Sequence, residues 1–145
     1  MTVSAPHAIQ TTELEIKNIL LVDDDVALAQ ALKGLLEAHN FLVTTVENGL
    51  EALREVMEMD FDVIICDMLM PQMPGDMFYL AVKKTKPELC SRFLFITGHG
   101  DNPKVDSFLK SNDGLVVYKP VMAAELVRMI SLVMNRAAAG SVEEQ

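Results

Sequence analysis

The sequence predicts an α/β protein built on a doubly wound, five-stranded parallel sheet with five helices. Two observations point to this class. From Lys17 onward, short apolar runs rich in β-formers alternate with longer stretches of helical period, the pattern of repeated βαβ units. Two of those runs, residues 18–22 (NILLV) and 61–66 (FDVIIC), are nearly continuous in apolar residues, as strands covered by helices on both faces should be. Right-handed crossovers then leave a doubly wound sheet, with the site expected at the carboxyl ends of the strands where the order reverses.

The elements follow in order. After the first strand, Leu28, Leu32, Leu35 and Leu36 recur with helical spacing and place one apolar stripe on a helix over 25–38. His39 and Asn40 end it, Asn40 being suited to a left-handed cap. A second strand spans 41–46 and a second helix 49–59, with Asn48 as its cap and Leu50, Leu53 and Met57 on its buried side. The strand at 61–66 precedes a third helix that starts after Pro74-Gly75 and runs to about Lys84. A fourth strand spans 92–97, and a fourth helix 102–110, where Pro103 fits only the first turn. The fifth strand spans 115–118 and the fifth helix 123–136. The domain is expected at 16–136, between an N-terminal tail at 1–15 and a C-terminal tail at 137–145.

Composition narrows the function. At 145 residues there is room for one ordinary domain. A 50% hydrophobic share excludes a disordered acidic tail, and no apolar run approaches the ~20 residues of a membrane span. A net charge of −9 argues against binding nucleic acid or anionic lipid through a basic patch. The first ten residues have no Lys or Arg and no signal-peptide core, so a cytoplasmic location is expected, with Cys66 and Cys90 as reduced thiols.

The residues at the strand ends are of one chemical kind. The first strand ends in Asp23-Asp24-Asp25, the third in Asp67, the fourth in Thr97-Gly98 and the fifth in Lys119-Pro120, whereas Glu47-Asn48-Gly49 after the second reads as a plain turn. In a parallel sheet these ends open on one edge. Two carboxylates about 4 Å apart repel by roughly 1 kcal/mol in water and about 4 kcal/mol at an effective dielectric of 20, so positive charge is required. Lys119 supplies one charge; a site of oxygen ligands without His or Cys suits Mg²⁺ for the rest, or Mn²⁺. These residue types permit phosphoryl transfer to a carboxylate, with Asp67 as nucleophile, Lys119 pairing a phosphoryl oxygen and Thr97 donating a hydrogen bond. There is no phosphate-binding loop or dinucleotide fingerprint, so the donor must bring its own activated phosphate.

Four segments, ILLVDDD, VIICDMLMPQMPG, FITGHGD and VVYKPV, resemble in order and spacing the receiver domain of two-component response regulators. The resemblance implies a flavodoxin-like sheet of order 2-1-3-4-5 and Asp67 as phosphoacceptor. It also implies Mg²⁺ ligation by Asp24, by Asp23, by Asp67 and by the backbone carbonyl of Leu69, Thr97 as switch hydroxyl and Lys119 as phosphate-pairing amine. The implied partners are a sensor histidine kinase or a histidine phosphotransfer protein, and the switching surface is built from the fourth helix, fifth strand and fifth helix. The TGHGD, FLKS and YKP segments are most similar to receivers attached to hybrid sensor histidine kinases. Two departures stand out. The family's aromatic residue three positions before the Lys is Val116 here, and Tyr118 is expected on the opposite strand face from it; Pro74 replaces a common acid.

Bland readings compete at single positions. Asp25 is the best N-cap of the first helix, Cys66 a core thiol, and the ten methionines mostly core filler, with Met68, Met70 and Met73 as a candidate contact surface. His99 could overhang the phosphate. The alternative function is a small Mg²⁺-dependent phosphatase of the haloacid dehalogenase type using Asp23 and Asp25; a receiver-like docking module is a third reading.

Overall fold

The computed structural model describes residues 15–98 and 102–144. Five short strands, β1 (Asn18–Val22), β2 (Leu42–Val46), β3 (Val63–Asp67), β4 (Phe93–Thr97) and β5 (Leu115–Tyr118), pair in parallel in the order β2-β1-β3-β4-β5. The central strand β3 is buried along its whole length, which is why its sequence shows no polar alternation before Asp67.

Because side chains alternate along each strand, the sheet feeds two cores. On one face Ile19, Leu21, Ile65, Leu94 and Ile96 pack against α1 (Val26–Ala38) and α5 (Ala123–Glu144). On the other, Leu20, Ile64, Cys66, Phe93 and Phe95 pack against α2 (Gly49–Glu58), α3 (Gly75–Thr85) and α4 (Pro103–Ser111). Strand order changes direction around β1 and β3, so the ends of these two strands open onto the same crevice.

Local chemistry sets the helix ends. The Asp25 carboxylate accepts the Leu28 N–H at 3.0 Å and caps α1, and Asn40 takes the left-handed conformation after it (φ 69°). Asn102 caps α4 through the N–H groups of Lys104 and Val105, with Pro103 in the first turn.

The structure departs from the sequence expectations in three places. The buried stripe of α2 is Gly49, Ala52 and Val56, with Leu53 partly buried, while Leu50 and Met57 are exposed. Both stripes have the same i, i+3, i+7 spacing one residue apart, and the close approach of Met73 to the start of α2 favours the one that begins at Gly49. The last helix does not stop at Arg136. It continues to Glu144 through a run of strong helix-forming alanines, with Ala137 buried. A two-turn 3₁₀ segment, Pro87–Arg92, leads from α3 into β4 without a periodic signal of its own.

Candidate functional site

Three carboxylates meet at the ends of β1 and β3. Asp23 and Asp67 are buried, Asp24 is exposed, and one oxygen of each lies within 4.8 Å of the others. Backbone pairing brings them together. β1 and β3 run in register up to Val22 opposite Cys66, so Asp23 and Asp67 are the next residues along. Asp23 is further held by its N–H donating to the Val46 carbonyl at 3.1 Å and by its Oδ1 accepting the Asp25 N–H at 2.9 Å.

Lys119 reaches in from the end of β5. Its Nζ lies 3.4 Å from Asp67 Oδ2 and 3.6 Å from Asp23 Oδ2, one ammonium shared by two buried acids. Its backbone N–H donates to the Thr97 carbonyl at 2.8 Å, joining the ends of β4 and β5, and the following Lys119–Pro120 peptide is cis. Thr97 is buried one residue past Ile96, the register partner of Asp67. Leu69 donates its N–H to Asp67 Oδ1 at 3.4 Å, and its side chain is 59% exposed beside the acid cluster.

The charge balance is incomplete. Burial, and then the repulsion of Asp23, push the Asp67 carboxyl up to about 6 against the pull of Lys119 and the Leu69 N–H. Burial alone would lower the Lys119 pKa, but the carboxylates of Asp67 and Asp23 outweigh it and raise it. Asp23 Oδ2 is buried and accepts no hydrogen bond. An orphaned carboxylate oxygen within a cluster of hard oxygen donors fits a small divalent cation such as Mg²⁺ or Mn²⁺ and does not fit a thiophilic metal.

The family profile of the response regulator receiver domain matches residues 19–131, the span that carries all but the first residue of the sheet and every one of these side chains. The chain belongs to this family. It is 29% identical over 129 residues to the transcriptional regulatory protein ResD of Bacillus subtilis, covering 88% of this chain and 51% of ResD. It is 30% identical over 128 residues to a CpxR homologue of Haemophilus influenzae, also described as a transcriptional regulatory protein, covering 87% of this chain and 54% of that protein. The receiver thus spans about half the length of these relatives. Among solved structures, a CheY-like receiver domain protein from Methanospirillum hungatei superposes with a TM-score of 0.79 at 23% identity, covering 87% of this chain and 99% of that one, and shows the fold. Receivers are signalling domains of two-component systems, and Mg²⁺ binding is a general property of the family.

Nothing favours the phosphatase alternative. Its aspartate pair would need the Asp25 side chain, which is spent on capping α1. Two other expectations are corrected. Met68 and Met70 are buried and Met73 is partly buried against the same core, so this trio is not an exposed contact surface. Tyr118 is not on the opposite face from Val116. The strand period is two, and both residues line one groove of about 480 Å³ between α4 and β5, together with Leu109 and Gly114. Tyr118 is also the register partner of Thr97. His99 lies outside the described residues.

One residue that looked inert in the sequence touches the site's frame. Gly49, in the supposed plain turn after β2, donates its N–H to the Met73 carbonyl at 3.2 Å in the loop that follows Asp67. A glycine opening a helix that has good helix formers behind it is the one signal that could have marked it.

Proposed function

We propose that this receiver takes a phosphoryl group onto Asp67 from a phosphohistidine of a sensor histidine kinase or a histidine phosphotransfer protein, in the cytoplasm, and that the new charge changes a protein-binding surface. One observation carries the reading: a buried, charge-frustrated Asp67 flanked by Asp23, Asp24 and the Lys119 ammonium. In the transfer, an Asp67 oxygen forms a bond to phosphorus, the phosphorus–nitrogen bond of the donor breaks, and the imidazole nitrogen leaves with the electron pair. Lys119 Nζ is placed to pair with a phosphoryl oxygen, and the buried Thr97 to donate a hydrogen bond. Asp23, Asp24, Asp67 and the Leu69 carbonyl would hold Mg²⁺, which supplies neutralisation of the charge on the transferred oxygens.

Output is read through Tyr118. The residue is 45% exposed, pairs with Thr97 across the strands and borders a groove with room for its ring, so a shift at Thr97 has an adjacent aromatic side chain to move. The chain has no Trp and only two Tyr, Tyr79 buried and Tyr118 exposed, so tyrosine fluorescence of a Tyr79→Phe variant reports on Tyr118. It should change on phosphorylation; an unchanged signal would place the output elsewhere.

Incubation with acetyl phosphate and Mg²⁺ tests the acceptor directly. Intact mass should rise by one phosphoryl group, and Asp67→Asn should abolish the gain. Equal uptake by the variant would remove the assignment.

A further inference from the structure

We propose that Gly49 is a positioning residue for the phosphoacceptor loop, holding the segment from Met68 to Gly75 in the shape that brings the Leu69 backbone to Asp67. The absence of a side chain at Gly49 is demanded by its neighbour and not by its own backbone. No glycine among the described residues has a positive φ, and in a helix's first turn alanine would be the better helix former. A Cβ at Gly49 would stand 2.3 Å from the Met73 carbonyl oxygen and 3.0 Å from Met73 Cβ and Cγ. The first of these contacts cannot exist, so the α2 N-terminus meets the loop only because position 49 is bare.

The loop needs that support. Gln72 and Met73 are consecutive non-glycine residues in the left-handed region (φ 49° and 77°), a conformation that persists only where the surroundings hold it. Three backbone hydrogen bonds do so: Met68 N–H to the Ile96 carbonyl at 3.1 Å, Gly75 N–H to the Met68 carbonyl at 3.0 Å, and Gly49 N–H to the Met73 carbonyl at 3.2 Å. Of the three, the bond from Gly49 alone grips the strained pair. The loop also closes tightly on its own start, since a Cβ at Gly75 would be 2.5 Å from the Asp67 carbonyl oxygen. Leu69 lies within the loop so closed, and its N–H donates to Asp67 Oδ1.

The platform under Gly49 is braced. Asn48 is buried, its Oδ1 accepts the Glu51 N–H at 2.9 Å, and its Nδ2 donates to Glu51 Oε2 at 3.3 Å. Glu51 Oε1 in turn accepts the Glu47 N–H at 3.3 Å, a capping box drawn one residue further back than usual. This is the bracing of a capped helix N-terminus, and it fixes the N–H that faces Met73.

Gly34 in α1 is the matched control, because a Cβ there would meet nothing within 4 Å. In the metal-free protein, Gly49→Ala should speed amide hydrogen exchange at Leu69 and Gly75 by tenfold or more. At saturating Mg²⁺ it should slow phosphoryl uptake from acetyl phosphate by roughly 10- to 100-fold, the scale of a displacement of about 1 Å at a reacting group. Gly34→Ala should move neither quantity. If Gly49→Ala does not fold, Asn48→Ala, which unbraces the platform without adding a clash, should give the same pattern at smaller size. A variant that melts earlier yet keeps native loop exchange and native uptake overturns the proposal, leaving Gly49 a packing residue. The uptake arm rests on Asp67 being the acceptor and the exchange arm does not. If Asp67→Asn still gains phosphate, the acceptor assignment fails, while faster loop exchange would still uphold the role of Gly49.

Discussion

Two aspartates bracket the central strand β3, and they live under opposite conditions. Asp62, just before the strand, accepts the Asn18 N–H on Oδ2 at 2.7 Å, while its backbone carbonyl accepts from Arg92 at 3.3 Å and its own N–H donates to Asn18. Asp67, at the far end, is buried against a second carboxylate, with a 3.4 Å contact to a shared ammonium and a 3.4 Å bond from the Leu69 N–H as its compensation. Both side chains are ordinary carboxylates, one just before the strand and one at its end. The amino edge of the sheet spends its acid on tying strands together, and the carboxyl edge keeps its acids short of partners. What distinguishes Asp67 from Asp62 is the deficit of positive charge around it, which a cation would fill.

The contrast can be broken by experiment. The largest effect is on the stability of the metal-free protein. Asp67 holds its proton up to about pH 6 when folded, against an ordinary value of 3.8. The folded state therefore binds more protons than the unfolded chain between those values, and its stability falls as pH rises through that window. Asp67→Asn should remove this loss, gaining about 1–3 kcal/mol in EDTA at pH 7 and little below pH 4, as measured by urea unfolding. No gain at pH 7 would mean that Asp67 is not frustrated.

Asp62→Ala should behave in the reverse way. Leaving the Asn18 N–H without its acceptor should cost about 1–2 kcal/mol, with phosphoryl uptake unchanged. Reduced uptake at normal stability would erase the division between the two edges. A smaller effect is expected at Leu69, two residues after the proposed acceptor, whose exposed apolar side chain offers nothing to orient an attacking water. Leu69→Asn should shorten the lifetime of the phosphorylated protein several-fold, followed by loss of the added mass; a decay no faster than in the native chain would exclude the idea.

The order of elements, the doubly wound class and the residues that line the crevice were legible in the sequence, because each rests on local information. Strand runs declare themselves by β-formers, helices by period, and Asp23, Asp67, Thr97 and Lys119 by ending four different runs. Asp25 and Asn48 could be read as caps for the same reason, since a cap depends on residues three positions away or fewer. The tertiary structure decided what depends on distant neighbours. The buried face of α2 begins at Gly49, where the loop after Asp67 comes too close for a side chain, and Leu50 turns outward. The place of Tyr118 beside Thr97 was set by the register of β4 on β5, a pairing that no local pattern encodes. The state of Asp67 belongs to the same class: its charge is ordinary for the residue type, and only the fold sets a second buried carboxylate and one shared ammonium against it.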